Sequence, residues 1–190
     1  MLFNDYELKW LEKHKDLINK NKFKELFDEA NKPHSKLSVI ESMSFPSKIN
    51  YALLQAGFDI FLNDEVPARC FWNCKELTSI KLRYNITNIN DGAFQSCTNL
   101  KSIKLPAELK NIGRCAFENS GLTEIKLPKV LDKIGTNAFY RCFDLKDVYT
   151  DVTVKMFKAS LERDFYNNHF PDDTTIHCVD KIFRFGDEVI

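Results

Sequence analysis

The chain has 190 residues, 44% of them hydrophobic, which is enough for one substantial core or two small ones, and nothing in its composition indicates disorder. Lysine and arginine together number 27, and so do aspartate and glutamate, so the chain as a whole has no net charge that would attract nucleic acid or an anionic membrane. The charge of any binding surface must therefore be argued locally.

The N-terminus has no basic start followed by an apolar run, and no stretch approaches the length of a membrane span. We therefore expect a cytoplasmic protein without a signal peptide, a transmembrane segment or a membrane partner. The six cysteines include no C-x-x-C pair, and in such a compartment they are expected to be reduced.

Residues 1–58 have the apolar spacing of a helical module. The spacing predicts one helix over residues 5–20, with Asp5 as its N-cap. A second helix is expected over residues 21–32, because Pro33 disfavours helical backbone in the residue before it.

A further short helix is expected over residues 35–43, and another begins at Ser47 and has Gly57 as its C-cap. The first coil of a repeat stack exposes an apolar face that must be covered. We predict that the helical module caps this face; the alternative is an independent binding domain. The aromatic side chains suited to capping are Trp10, Phe23 and Phe27.

One string of residues is written nearly three times between Ile89 and Val148, and a looser copy precedes it. Each full copy has an isoleucine closely followed by a glycine, then Ala-Phe, then a leucine and a hydrophobic strand. The phenylalanines of the four copies stand 23, 23 and 22 residues apart. A period of this length predicts a solenoid, in which stacked coils bury a shared core. These phenylalanines are Phe71, Phe94, Phe117 and Phe139.

The consensus Ile-Gly-x-x-Ala-Phe-x-x-Cys-x-x-Leu-x-x-Ile-x-Leu-Pro resembles the BspA-like class of leucine-rich repeats, over residues 66–148. The resemblance implies an α+β fold in which about four repeats form a solenoid with a parallel sheet. It also implies a non-enzymatic module that binds another protein. Short members of the class in phage and bacterial genomes suggest an inhibitor or adaptor of a host protein. The third copy departs from the pattern, with Ser120 in place of cysteine and one residue fewer before Leu122, which predicts a local bend.

After the repeats, a helix is expected over residues 154–170, followed by strands over residues 174–179 and 183–190. These elements would cap the open edge of the sheet and prevent end-to-end association. The predicted organisation is a helical capping module at residues 1–58, a solenoid at residues 59–154 and a C-terminal cap at residues 155–190.

Side chains alternate between the two faces of a strand, so the Ile-x-Leu pairs of the repeats point into the core and their neighbours point outward. The outward positions place three lysines in register on adjacent strands, followed by a tyrosine, with an arginine beside the first lysine. Two acidic residues lie diagonally nearby and are expected to neutralise one end. We call this surface the lysine–tyrosine face; it comprises Lys81, Arg83, Lys104, Glu124, Lys126, Asp147 and Tyr149.

Two interpretations of this face stay open. Like charges about 5 Å apart in water repel by only about 1 kcal/mol, so a lysine row is a tolerable way to finish a sheet and keep other strands away. Alternatively, the face binds an acidic or polar protein, with Tyr149 as an aromatic anchor. Its area, about 20 by 10 Å, is well below the ~800 Å² per partner of a standard interface, so adjoining loops or helices must contribute.

Other ligands and chemistry have weaker signals. Nucleic acid or another anion could bind Lys81, Arg83, Lys104 and Lys126, although the neutral overall charge disfavours it. The four histidines show no metal-ligand spacing, and Cys178 beside His177 lacks a third group at a defined distance. We therefore predict no cofactor and no enzyme, with a small hydrolase of unrecognised site as the remaining alternative. We expect a monomer, or alternatively a homodimer.

Overall fold

The computed structural model describes residues 3–20, 22–30, 32, 39–55, 64–161 and 169–187. The chain divides into two compact units, Met1–Leu62, whose described residues are mainly helical, and Asn63–Ile190, which carries the repeats. Residues 155–190, expected to form the C-terminal cap, belong to the second unit. Within the described ranges, no helix is long and apolar enough to cross a membrane.

The first helical segment is broken where one continuous helix was predicted. Helix α1 spans Asp5–Lys13 and α2 spans Lys15–Asn19. The chain turns at His14, whose ring stacks on Trp10 with centroids 4.0 Å apart. The predicted cap, Asp5, is wrong, because the Asn4 side chain accepts the Glu7 N–H at 2.9 Å and completes a capping box.

The same glutamate ties two helices of this unit together. The Glu7 carboxylate is fully buried, accepts the Asn4 N–H at 2.9 Å and lies 2.9 Å from the Lys48 ammonium. Such a carboxylate is tolerated only when it is paired, so removing either partner would leave an uncompensated charge. The pair therefore fixes α1 against the helix that carries Lys48.

Helix α3 spans Phe23–Ala30 and α4 spans Val39–Gln55. Two helices were predicted across the second span, but α4 continues through Pro46. A proline inside a helix removes one backbone hydrogen bond and crowds the preceding turn, which kinks a helix without necessarily ending it. The side chains of Phe23 and Phe27, and the predicted C-cap Gly57, lie outside the described residues, so capping by this module stays a prediction.

The repeats build two sheets, whereas the sequence predicted one. The unpredicted sheet runs along the isoleucine corner of the coils, where each strand has only two residues. All its neighbouring strands are parallel, and Leu161 adds a further parallel bridge to Ile134. Its strands are, in spatial order, β1 (Glu65–Val66), β2 (Asn88–Ile89), β3 (Asn111–Ile112) and β5 (Lys133–Ile134).

The predicted sheet forms along the Ile-x-Leu side of the coils. Its first three strands are parallel and the last is antiparallel. A single parallel bridge between Lys81 and Lys104 marks the same side of the first two coils. The strands are, in order, β4 (Glu124–Leu127), β6 (Asp147–Thr150), β7 (Thr175–His177) and β8 (Ile182–Arg184).

Each coil turns between the two sheets through a pair of residues with left-handed backbone. Their φ angles lie between 54° and 62°, and only one of the eight is glycine. Left-handed backbone costs other residues roughly 1–2 kcal/mol each, so the stack must impose it. The eight are Arg69, Asn73, Gly92, Ser96, Cys115, Asn119, Asn137 and Arg141.

The Ala-Phe pair between these turns joins one coil to the next. The N–H of Phe71 donates to the Ala93 carbonyl at 2.8 Å, and Phe94 donates to Ala116 in the same way. Each alanine and phenylalanine of the three full copies is completely buried. Each Ala-Phe turn forms its hydrogen bond with the same turn of the next coil. The turns must therefore have the same conformation in successive coils.

The phenylalanine rings form a continuous stack through the core. Centroids of successive rings lie 5.5, 5.2 and 5.2 Å apart from Phe71 to Phe139, with planes within 9° of each other. Phe170 extends the stack at 4.8 Å, and the carbonyl of His169 accepts the Phe139 N–H at 2.9 Å. The sequence analysis missed this partial fifth coil, because 31 residues separate Phe139 from Phe170 instead of the usual period.

At Gly135 and at Gly121, the coils meet too closely for a side chain. A Cβ on Gly135 would lie 2.6 Å from the Arg114 backbone nitrogen. A Cβ on Gly121 would lie 2.1 Å from the Thr98 carbonyl oxygen, in the coil that is one residue short. Across this shortened turn, Lys101 reaches past the third coil to pair with Asp144 of the fourth at 2.9 Å.

The C-terminal part closes the core with aromatic side chains. Helix α5 spans Val154–Ser160, shorter than predicted, and residues 162–168 of the expected helix lie outside the described residues. The last strand was predicted over residues 183–190. The structure has β8 at Ile182–Arg184, followed by a 3-10 turn at Phe185–Asp187. The rings that gather against the end of the phenylalanine stack are Phe157, Phe170, Phe183 and Phe185.

The inward and outward assignment predicts unequal effects of two substitutions in the same coil. Phe94→Ala removes a fully buried ring between two stacked neighbours and should cost about 3–5 kcal/mol of unfolding free energy. Lys104→Ala removes an exposed side chain and should cost under about 0.5 kcal/mol. Chemical denaturation measures both, and similar losses would contradict the assignment.

Candidate functional site

The register of the sheet defines two outward rows on the lysine–tyrosine face. Strand pairing joins Lys126 to Tyr149, and then Tyr149 to His177 and His177 to Ile182. The isolated bridge between Lys81 and Lys104 occupies the same repeat position on the first two coils. Alternation puts a second row beside it, formed by Glu124, Asp147, Thr175 and Arg184.

The charges on this face are compensated differently from the sequence prediction. Glu124 and Asp147 were expected to neutralise the lysines, but Lys126 pairs with Asp151, with Nζ 3.0 Å from Oδ2. Asp147 instead lies 2.7 Å from Nε2 of His177. Within the described ranges, neither Lys81 nor Lys104 has an ion-pair partner. The cationic end of the face is therefore the end formed by the first two coils.

The aromatic end of the face is a supported cluster. The ring of Tyr149 stacks on His177 with centroids 4.5 Å apart, and the bond to Asp147 fixes the imidazole in turn. Tyr149 remains 39% exposed and Ile182 is 63% exposed. The sequence analysis found no metal-ligand spacing for His177 and did not place it on this face. The available signal was Thr175-Ile176-His177, a polar-apolar-polar strand that takes the position of Asp147-Val148-Tyr149 on the next coil.

The buried cysteines complete backbone hydrogen bonding between coils. The thiol of Cys97 donates to the Phe71 carbonyl at 3.0 Å, and that of Cys142 donates to the Phe117 carbonyl at 2.9 Å. All six cysteines are free thiols. Ser120 is buried in the same column and contacts the Cys142 sulfur at 3.2 Å, so this position holds a small side chain that can form a hydrogen bond.

The thiols are poorly suited to nucleophilic chemistry. Burial raises the pKa of Cys74 to about 12 and the pKa of Cys142 to about 11. Burial also raises the pKa of Cys178, next to His177, to about 11. Because the thiolate is the reacting form, these groups stay protonated near neutral pH. In the part of the chain that the structure describes, no three or more His, Cys, Asp or Glu residues cluster as metal ligands.

One family model and two solved structures are similar to this chain. The family model described as "BspA type Leucine rich repeat region (6 copies)" matches residues 64–180. The chain is similar to the pneumococcal vaccine antigen PcpA, with 20% identity, a TM-score of 0.49, and coverage of 61% of this chain and 34% of that one. It is also similar to a leucine-rich repeat protein from Bacteroides ovatus, with 18% identity, a TM-score of 0.36, and coverage of 60% and 40%. The chain thus spans well under half of either structure, and no curated protein sequence matches it.

The buried thiol of Cys97 predicts a specific loss of stability at alkaline pH. Burial raises the folded-state pKa of the Cys97 thiol well above its ordinary value. The free energy that this difference contributes to folding is therefore fully present below the pKa of the unfolded thiol, about 8.5. That effect is lost as the pH rises towards the folded-state pKa. The serine variant Cys97→Ser lacks this titration, as the buried Ser120 at the same repeat position does naturally.

The free energy of unfolding of the wild type should therefore fall relative to that of Cys97→Ser, by about 1.4 kcal/mol for each pH unit above about 9. Urea denaturation of both proteins between pH 7 and pH 10 measures this difference, in which the titration of lysines and tyrosines cancels. A difference that stays constant with pH would contradict the prediction.

Proposed function

The chain belongs to the BspA-type leucine-rich repeat family, and from this premise we propose that it is a non-enzymatic scaffold that docks on a partner protein through the lysine–tyrosine face. Repeat scaffolds of this kind are typical of protein-interaction domains. One observation carries the proposal: equivalent outward positions of the coils hold the bridged Lys81 and Lys104 at one end and the exposed Tyr149 and Ile182 at the other. Through such docking the protein would act as an inhibitor or an adaptor of its partner.

The aromatic end has the features of a binding hot spot. Tyrosine contributes a large contact area with few rotatable bonds, and it is enriched among residues that dominate binding energy. Tyr149 rests on His177, which Asp147 holds, so little side-chain freedom is left to lose on binding. Preorganisation of this kind converts more of the contact energy into affinity.

The cationic end favours an acidic partner. Lys81 and Lys104 are exposed and have no ion-pair partner in the described parts of the chain, so an approaching carboxylate would meet charges that are not already neutralised. Charges at the rim of an interface mainly raise the association rate and select the partner. The adjoining loop supplies further area, because Tyr84, next to Arg83, is 86% exposed. A partner of this face would therefore combine carboxylates with apolar groups.

A second candidate is an anionic ligand such as nucleic acid, and the uncompensated lysines of the first two coils favour it. Arg83 adds a further cation at that end of the face. The opposite end counts against it, because Glu124, Asp147 and Asp151 would repel phosphates near Tyr149. The two classes differ in how their affinity depends on salt, and this difference supplies a test.

Charge reversal of the face should weaken binding without unfolding the protein. We expect Lys104→Glu combined with Lys126→Glu to lower the affinity for a protein partner, isolated from the native cytoplasm, at least tenfold. The unfolding midpoint should hardly change, because the only ion pair lost from the described part of the chain is the exposed one with Asp151, worth about 0–1 kcal/mol. The matched control is Lys75→Glu with Lys110→Glu, two exposed lysines outside the face. Undiminished binding by the double reversal of the face would remove it from the proposal.

Salt dependence separates the two ligand classes. Neutralising Z phosphates of a single strand or duplex gives a logarithmic salt slope of roughly 0.7–0.9Z, so three or four contacts predict a slope of about 2 to 4. A protein anchored mainly by aromatic and apolar contacts should show a much shallower slope. Titrations of the isolated partner at several salt concentrations measure the slope, and a steep one would favour the anionic ligand.

A further inference from the structure

The strand that closes the repeat sheet leaves its own edge open. Strand β8 pairs with β7 on one side and is the last strand in the order β4-β6-β7-β8. The C-terminal strands were expected to cap the sheet and prevent end-to-end association. β8 does cover the edge of β7, but the open edge is thereby moved one strand outward. An open edge is a template on which another strand can pair.

Two hydrogen bonds beside β8 show which of its backbone groups point outward. The Lys181 carbonyl accepts the N–H of the residue that follows β7 at 3.0 Å, and the Phe185 N–H donates to the residue that precedes β7 at 2.9 Å. Backbone direction alternates along a strand, so Phe183 also turns its N–H and C=O towards β7. The N–H and C=O groups of Ile182 and Arg184 therefore point to the open edge.

These outward groups are accessible and unpaired. In the part of the chain that the structure describes, no backbone hydrogen bond outside the β7–β8 pair involves Ile182 or Arg184. Ile182 is 63% exposed, and Arg184 is exposed as well. Two N–H donors and two carbonyl acceptors are thus available to a neighbouring strand.

A second copy of β8 matches these four groups. In an antiparallel pair centred on Phe183, Ile182 of each copy lies opposite Arg184 of the other, and each of these pairs exchanges two hydrogen bonds. Each guanidinium side chain then lies opposite an aliphatic one, so no like charges are directly opposed. An in-register parallel pair would instead place the two arginines side by side. The strand is therefore self-complementary in the antiparallel direction.

Three features favour a second copy over an extended segment of another protein. The edge is already formed in the folded chain, so pairing does not require a new segment to be ordered. The chain has equal numbers of acidic and basic residues, so two copies do not repel each other by net charge. An antiparallel pair has twofold symmetry and uses both β8 edges at once, which closes the assembly at two copies.

We propose that the protein self-associates as a twofold-symmetric dimer through β8, which joins the two four-stranded sheets into one of eight strands. This is the homodimer that the sequence left open as the alternative to a monomer. We expect a dissociation constant on the order of 0.1 mM, because the paired edge is much smaller than a standard interface.

The dimer would double the lysine–tyrosine face. Ile182 and Arg184 both have outward side chains, and opposite residues of an antiparallel pair lie on the same side of the sheet. The two copies of the face would therefore point in one direction. Their Tyr149 side chains would stand five strand spacings apart, about 24 Å. This consequence rests on the proposed function, whereas the self-association does not.

Self-association is tested on the full chain alone, by sedimentation and by residue-resolved exchange of amide protons with water between 50 µM and 1 mM protein. We expect the Ile182 and Arg184 amides to exchange about threefold more slowly at the higher concentration, as mass action requires for a dissociation constant of about 0.1 mM. The Phe183 amide, which faces β7, should be protected equally at both concentrations.

Proline at the open edge separates pairing from folding. Ile182→Pro removes an N–H that β7 does not use, so it should raise the dissociation constant at least tenfold while the chain stays folded. The matched control Ile182→Thr keeps the N–H and a β-branched side chain, and it should dimerise within about threefold of the wild type. Arg184→Pro removes the other outward N–H and serves as a second variant if Ile182→Pro lowers the unfolding midpoint.

Four results would overturn the dimer. They are a monomer up to 1 mM, a dimer in which exchange at Ile182 and Arg184 is unchanged, proline variants that dimerise like the wild type, and edge amides that are protected only when the isolated partner is added. Failure of the proposed function is a separate result. A dimer whose partner binding is insensitive to Lys104→Glu with Lys126→Glu contradicts the face alone, and a monomer whose binding that variant weakens contradicts the dimer alone.

Discussion

The structure depends on one constraint: every coil must present to the next coil the same backbone shape that it meets on the previous one. The Ala-Phe turn shows this most directly. The Phe94 N–H donates to the Ala116 carbonyl of the next coil, and the Phe94 ring stacks between Phe71 and Phe117. Eight residues are held in left-handed backbone although seven of them are not glycine. The energy of stacking, distributed over all the coils, offsets that local strain.

This regularity is also what makes a surface out of scattered residues. Once the core positions are fixed, each outward position becomes a column whose members lie one strand apart, although more than twenty residues separate them in the chain. Lys81 and Lys104 become neighbours in this way, and so do Lys126 and Tyr149. Because the stack fixes the backbone beneath the face, only side chains have to be ordered on binding, which is an advantage for a surface of modest area.

The irregular parts of the chain give the face its individual character. The shortened third coil separates the two lysines of the first coils from Lys126 and lets Lys101 pair two coils away. The terminal elements then add what no repeat contains: His177 stacked on Tyr149, and the rings of Phe157, Phe183 and Phe185 at the end of the phenylalanine stack. Chemistry that is specific to this protein therefore concentrates where the repeat ends, as expected if the stack supplies the scaffold and its end supplies recognition.

The sequence by itself determined the solenoid, the buried phenylalanine column and the direction of the side chains on the Ile-x-Leu strands, because all three follow from a fixed period. It could not determine that Lys126 pairs with Asp151, that Asp147 holds His177, or that Phe170 continues the stack after a gap of irregular length. These contacts join residues at positions that no repeat relates, so nothing in the spacing indicates them. Only the tertiary structure decided them, because packing at the end of the stack brings together side chains from the last coil and the segments that close it.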